Sequence, residues 1–171
     1  MSSPENQNSL TGIEIIDILK AMRNDALDKV AHETIRQGGK AGRQESHKQA
    51  LVDLHHTFET SFLEAVGLAL NLHPAQMKKI RYKKDRIRIL SQNGVDYGNL
   101  DGVETAQVLS QIAQAIVRED AIVTHDLHNA FPFWKEGWPM VQFDNAYKIL
   151  LDDITIHYQN VIDALLDVVE I

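Results

Sequence analysis

Apolar side chains recur at threes and fours along most of the chain, the spacing of helices with one buried face. Ile15, Leu19, Met22, Leu27 and Val30 form such a series within residues 11–37, and Thr11 followed by Glu14 has the capping-box pattern of a helix start. Gly38-Gly39 breaks this run, and a short polar stretch leads to a second helix expected over residues 45–72. Its broad stripe is Leu51, Leu54, Phe58, Phe62, Val66, Ala69 and Leu72. His73-Pro74 ends it, because the residue before a proline is pushed out of the α region. Asp101, with Glu104 at N3, is expected to cap a third long helix running to about residue 129, with Val103, Leu109, Ile112, Ile116, Val123 and Leu127 as its apolar positions. A last helix, capped by Asp144 or Asn145, reaches Val169 and buries Tyr147, Leu150, Ile154, Val161, Leu165 and Val168.

Two stretches break the periodicity. In residues 74–100, Met77, Ile80, Ile87 and Leu90 fit a helical stripe, whereas Ile80-x-Tyr82 and Ile87-x-Ile89 alternate around Lys83-Lys84-Asp85 like two short strands; the hairpin is the favoured reading. Residues 131–139 form an aromatic loop, since two prolines and a glycine forbid regular structure there. It is expected to close over the end of the bundle. The fold class is therefore all-α: a bundle of four long helices with a short basic hairpin or irregular excursion between the second and third. Residues 1–10 are expected to be a flexible tail and residues 11–171 a single domain.

Composition narrows the functional classes. The chain has 171 residues, 44% of them hydrophobic and 24% charged, which is globular rather than disordered. There is no cysteine, which excludes disulfides, thiolate metal centres and a thiol nucleophile. The start of the chain has no basic residue and no apolar run, and nowhere do eighteen apolar residues follow one another, so a cytoplasmic protein with no membrane segment is expected. Net charge is −7, but residues 78–88 hold seven cations (Lys78, Lys79, Arg81, Lys83, Lys84, Arg86, Arg88) and one acid, Asp85. Elsewhere ten basic residues face twenty-three acidic ones, so a polyanion would meet the basic segment first. Tyr82 lies within it, placed to stack on a base.

Eight histidines are about twice the ordinary share. His32, His55, His56, His125, His128 and His157 fall on expected helices beside carboxylates such as Glu33, Glu59, Asp126, Asp153 and Asp163. No two Glu-x2-His pairs of the kind used by carboxylate-bridged di-iron bundles occur, so no metal ligands and no cofactor are assigned. Arg118 and His125 form a different pair. Seven residues of α-helix turn through about 700°, so both side chains should leave one face about 10.5 Å apart along the axis. Together they would offer a guanidinium for a phosphate and an imidazole to move a proton, the minimum for metal-free RNA cleavage.

An all-α chain of this size, a second helix reading Leu54-His55-His56-Thr57-Phe58-Glu59-Thr60-Ser61-Phe62-Leu63-Glu64, Arg118-x6-His125 on the penultimate long helix and one closing helix together resemble the HEPN superfamily. The resemblance covers most of residues 11–169 in architecture and a dozen residues in motif. It implies a homodimer whose motif-bearing helices face one another across a cleft for metal-independent endoribonuclease activity, often that of a toxin with a cognate antitoxin or of an antiviral defence effector. Carried over, Arg118 would be the phosphate-binding cation and His125 the proton-transfer group. RNA would be held by Lys78, Lys79, Arg81, Tyr82, Lys83, Lys84, Arg86, Arg88 and His128. The family usually has a small polar residue after the arginine, where this chain has Glu119, a carboxylate that repels phosphate unless it points away. Two alternatives therefore stay open: a non-catalytic helical dimer that binds a protein or RNA partner, and a helical bundle that binds a metal or small ligand.

Overall fold

The computed structural model describes residues 10–131 and 133–170. Apart from Leu10, the expected tail lies outside them, as does Pro132 of the aromatic loop. Among the described residues the architecture is all-helical. Eight α-helices follow in order: α1 Gly12–Arg23, α2 Lys29–Gly38, α3 Arg43–Leu70, α4 Pro74–Lys79, α5 Lys83–Gln92, α6 Val103–Arg118, α7 His125–Ala130 and α8 Phe143–Val169, with a single 3-10 turn at Tyr97–Asn99 before α6. None of the described helices is long and apolar enough to cross a membrane.

The two longest helices, α3 and α8, form the central pair, and α1, α2 and α6 pack against them. Leu51, Leu54, Phe58, Phe62 and Val66 of α3 meet Leu150, Ile154, Val161 and Leu165 of α8 in one continuous core. These are the positions the apolar spacing marks, and burying each such side chain favours folding by about 1.5–3 kcal/mol. Phe143 at the start of α8 donates its amide to Gln44 Oε1 at 2.8 Å, so the cap comes from α3 rather than from Asp144 or Asn145.

The helix expected over residues 11–37 is two helices. Thr11 caps α1 as the spacing implies, its hydroxyl accepting from the Glu14 amide at 3.1 Å. Buried Met22 and Leu27, however, are five residues apart, which on one helix would put them about 140° apart around the axis. The chain turns at residues 24–28 to bury both, and Val30, expected inside, is 57% exposed. The next turn, at Gly38-Gly39, needs glycine for contact: a Cβ on Gly38 would sit 2.5 Å from Ser46 Cβ of α3.

Residues 74–92 form two short helices, α4 and α5, joined by a turn at residues 80–82, which corrects the hairpin reading. His73 caps α4 by accepting from the Ala75 amide at 3.1 Å, while Gln76 Oε1 accepts from the His73 amide at 3.2 Å. His73-Pro74 thus starts a helix as well as stopping one. In α5, Ile89 and Leu90 are buried on the side that meets the core, with Ile80 just ahead of the helix. A two-residue alternation is too short to tell strand from helix, and Lys83-Lys84-Asp85 lacks the glycine that the common two-residue hairpin turns use.

The third long helix is interrupted as well. It starts after Gly102, not Asp101, and α6 ends at Arg118; a turn then leads to a separate α7. Gly102 has φ +89°, and a Cβ there would lie 2.5 Å from the Cβ of His157. In the aromatic loop Phe131 and Trp134 are buried, and the Trp134 indole donates to the Val141 carbonyl at 2.8 Å.

Candidate functional site

The basic excursion is built on a buried anchor. Arg86 lies on the inner face of α5, three residues before Ile89, and is only 5% exposed. Its terminal nitrogens donate to both Glu59 oxygens at 3.2 and 2.6 Å, and Nε donates to the Ile80 carbonyl at 2.7 Å. The guanidinium also stacks on Phe62, 4.1 Å from the ring centroid. Burial opposes its charge, but the Glu59 carboxylate more than offsets this and holds its pKa above the ordinary value. Arg86 is therefore removed from the expected RNA-binding set, because its charge is buried and taken up by Glu59 inside the fold. The helical spacing contains the missed signal: Arg86 shares a face with Ile89 and Leu90, which the strand reading concealed.

The anchor continues inward. Tyr97 donates its hydroxyl to His157 Nε2 at 3.1 Å, and His157 Nδ1 donates to the Asp101 carbonyl at 2.8 Å. That pattern requires a neutral imidazole, and burial pushes His157 below its ordinary pKa. His157 is three residues from Ile154 and four from Val161, so its position on the buried face of α8 was readable. These groups join α3, α5 and α8 with Tyr97 and Asp101 of the segment that leads into α6, and fix the excursion to the core.

The remaining cations face water. Lys78, Lys79, Arg81, Lys83, Lys84 and Arg88 are exposed, and Tyr82, between α4 and α5, is 69% exposed. Arg88 pairs with Asp85 at 3.0 Å; the other five have no carboxylate partner among the described residues. Arg81 and Lys83 line a narrow cavity with Gln107 and Ser110 of α6. Beside it opens a groove of about 600 Å³ bordered by Lys83, Ile87, Asn99, Asp101, Glu104 and Thr105, of mixed charge.

Arg118 and His125 do not share a helix, which overturns the geometry expected of them. Asp120 and Ala121 take φ of +54° and +57°, and the chain reverses. Backbone bonds from the aromatic loop hold the reversal: Val123 N to the Trp138 carbonyl at 2.9 Å, Gly137 N to the Val123 carbonyl at 2.9 Å, and Met140 N to the Ala121 carbonyl at 2.7 Å. Helix α7 then runs back beside α6, with Gln111 Nε2 donating to Asp126 at 3.4 Å. Gln111 lies about 10.5 Å before Arg118 along the axis. Apolar periodicity runs unbroken through this turn because Val123 and Leu127 beyond it are buried as Ile112 is before it. The readable signal was Ile122-Val123-Thr124, three β-branched residues that disfavour helix, with Thr124 capping α7.

Arg118 is exposed and unpaired among the described residues. The His125 side chain is 72% exposed, with Nδ1 3.2 Å from Glu136 Oε2. His128 Nδ1 donates to the Trp134 carbonyl at 2.7 Å, which ties this histidine to the loop. Among the described residues no group of three or more histidines and carboxylates is placed to hold a metal ion.

The chain matches no family model, no curated protein and no solved structure. The candidate chemistry lies in five unpaired cations and an exposed tyrosine on the two-helix excursion, and in an exposed histidine beside a carboxylate at the far end of α6.

Proposed function

We propose that the protein binds single-stranded RNA through the outer surface of α4 and α5. The observation that carries this reading is the division of labour among the seven cations. Arg86 fixes the excursion from within, while Lys78, Lys79, Arg81, Lys83 and Lys84 stand free on a chain of net charge −7. Free cations on a rigid support release counterions when they meet phosphates, and Tyr82 supplies an aromatic face for an unstacked base. The resemblance to HEPN proteins points to the same class of ligand. Binding of a labelled single strand should weaken steeply with salt, by about 0.7 in the log–log slope for each phosphate neutralised. A flat salt response would confine the segment to solubility.

A second reading, metal-independent RNA cleavage, is favoured by the contact between His125 and Glu136. A carboxylate at Nδ1 orients the imidazole and leaves Nε2 to take the proton of a 2′-hydroxyl. The 2′-oxygen would then bond to phosphorus as the bond to the 5′-oxygen breaks, with the leaving oxygen taking up a proton. Incubation of wild type and His125→Ala with mixed RNA in EDTA tests it. Cleavage by wild type alone supports the assignment; equal cleavage, or none, removes it.

A further inference from the structure

Helix α6 runs from the basic excursion to the turn at Arg118, and its exposed face differs in charge from most of the chain. Between Glu104 and Arg118 it carries no charged residue, although 24% of the chain is charged. Gln107, Gln111, Gln114 and Arg118 fall within a sector of about 60° and span about 16 Å along the axis. Gln114 and Arg118 are exposed and Gln107 and Gln111 half-buried. At one end, Gln107 lines the same cavity as Arg81 and Lys83; at the other stands the unpaired Arg118. The acids nearby are Glu104 ahead of the stripe, Glu119 and Asp120 beyond it, Asp126, which Gln111 holds, and Glu59, which lines the cavity but is paired with Arg86.

We infer that this stripe extends the RNA track from the basic excursion to Arg118, an inference that rests on the reading of α4 and α5 above. The pattern is cation, uncharged amides, cation. Arg81 and Lys83 would hold one phosphate region and Arg118 another. Gln107, Gln111 and Gln114 lie between, each with a carbonyl and an NH₂ to meet base edges and 2′-hydroxyls. Carboxylates there would repel the backbone; none of the stripe's own residues is one, and Asp126 beside it is held by Gln111. Single-stranded RNA suits it because unstacked bases expose those edges, whereas an RNA duplex offers mainly shape and phosphate.

The test uses a fluorescein-labelled single-stranded RNA of about twelve nucleotides, within the range one binding domain covers, read by anisotropy. Lys83→Glu probes the excursion; the new carboxylate at the first turn of α5 suits the helix dipole, so the fold is not threatened. Gln114→Glu probes the stripe with an equally good helix former. Both variants should weaken binding, Gln114→Glu by about fivefold, as expected for one added surface charge, and Gln114→Lys should strengthen it. If Lys83→Glu weakens binding while both Gln114 variants leave it unchanged, the track stops at the excursion and this inference falls, with the proposed function intact. If no variant changes binding, the proposed function itself falls. If Gln114→Glu lowers the mass of the free protein in light scattering, the stripe is a contact between two copies of the chain and the inference is overturned.

Discussion

Replacing Arg86 by methionine removes the one lysine or arginine that is buried among the described residues, while keeping much of the volume beside Phe62. The expected cost comes from what remains. The Glu59 carboxylate, whose side chain is 23% exposed, loses its counter-charge, and the Ile80 carbonyl loses the donor that sat 2.7 Å away. Breaking a buried pair from one side costs about 3–5 kcal/mol. Because Glu59 keeps some access to water, the lower figure applies, about 3 kcal/mol, or a fall in Tm of about 6–12 °C for a chain of this length. Glu59→Leu should be similarly harmful, since it strands the guanidinium. The double variant Arg86→Met/Glu59→Leu should return to within about 1 kcal/mol of wild type, because a buried ion pair is often no more stable than apolar residues in its place. Urea denaturation of the four proteins, followed by far-UV circular dichroism, measures the cycle. A loss below about 1 kcal/mol for Arg86→Met, or a double variant whose loss equals the sum of the single losses, would refute the claim that this pair holds the excursion to the core.

Three further outcomes are expected. His157 and His55 are both held below the ordinary histidine pKa of 6.5 by burial, so the unfolded chain binds protons more readily. Stability should therefore be fully present above about pH 6.5 and decline as pH falls below it. In urea titrations His157→Gln should flatten that decline, and an unchanged slope would remove His157 as its source. Gly102→Ala must fit a Cβ 2.5 Å from His157 Cβ at φ +89°, so it should lose about 2–3 kcal/mol and weaken amide protection at the start of α6 in hydrogen exchange; near-wild-type stability would mean that the turn relaxes freely. Asp120→Gly places glycine at φ +54° and removes a carboxylate next to the Arg118 turn. It should gain about 0.5–1 kcal/mol in thermal denaturation and bind the labelled RNA more tightly; weaker binding would count against Arg118 as part of the track.

The fold class was legible because burial follows period. Leu51, Leu54, Phe58 and Phe62 on α3, and Leu150, Ile154, Val161 and Leu165 on α8, lie in the core where their spacing puts them. The candidate site was legible only in part. Lys78, Lys79, Arg81, Lys83 and Lys84 are exposed as a cluster of like charge must be, since charge resists burial without a partner. Arg86 could not be separated from its neighbours by composition, because its partner Glu59 lies twenty-seven residues away on another helix.

By itself, the amino-acid sequence determined that the chain is helical, which face of α3 and of α8 is buried, and that positive charge is concentrated in one segment. These depend on the character of each residue and of neighbours within a turn or two. Only the tertiary structure decided that Arg86 is an anchor, and that Arg118 and His125 lie on different helices. The first needs the carboxylate of α3. The second needs backbone hydrogen bonds from residues 137–140, which open the helix after Arg118 and turn the chain back along α6. A period in the sequence records which side of the backbone meets the core, and it stays in step even where a distant loop has bent that backbone.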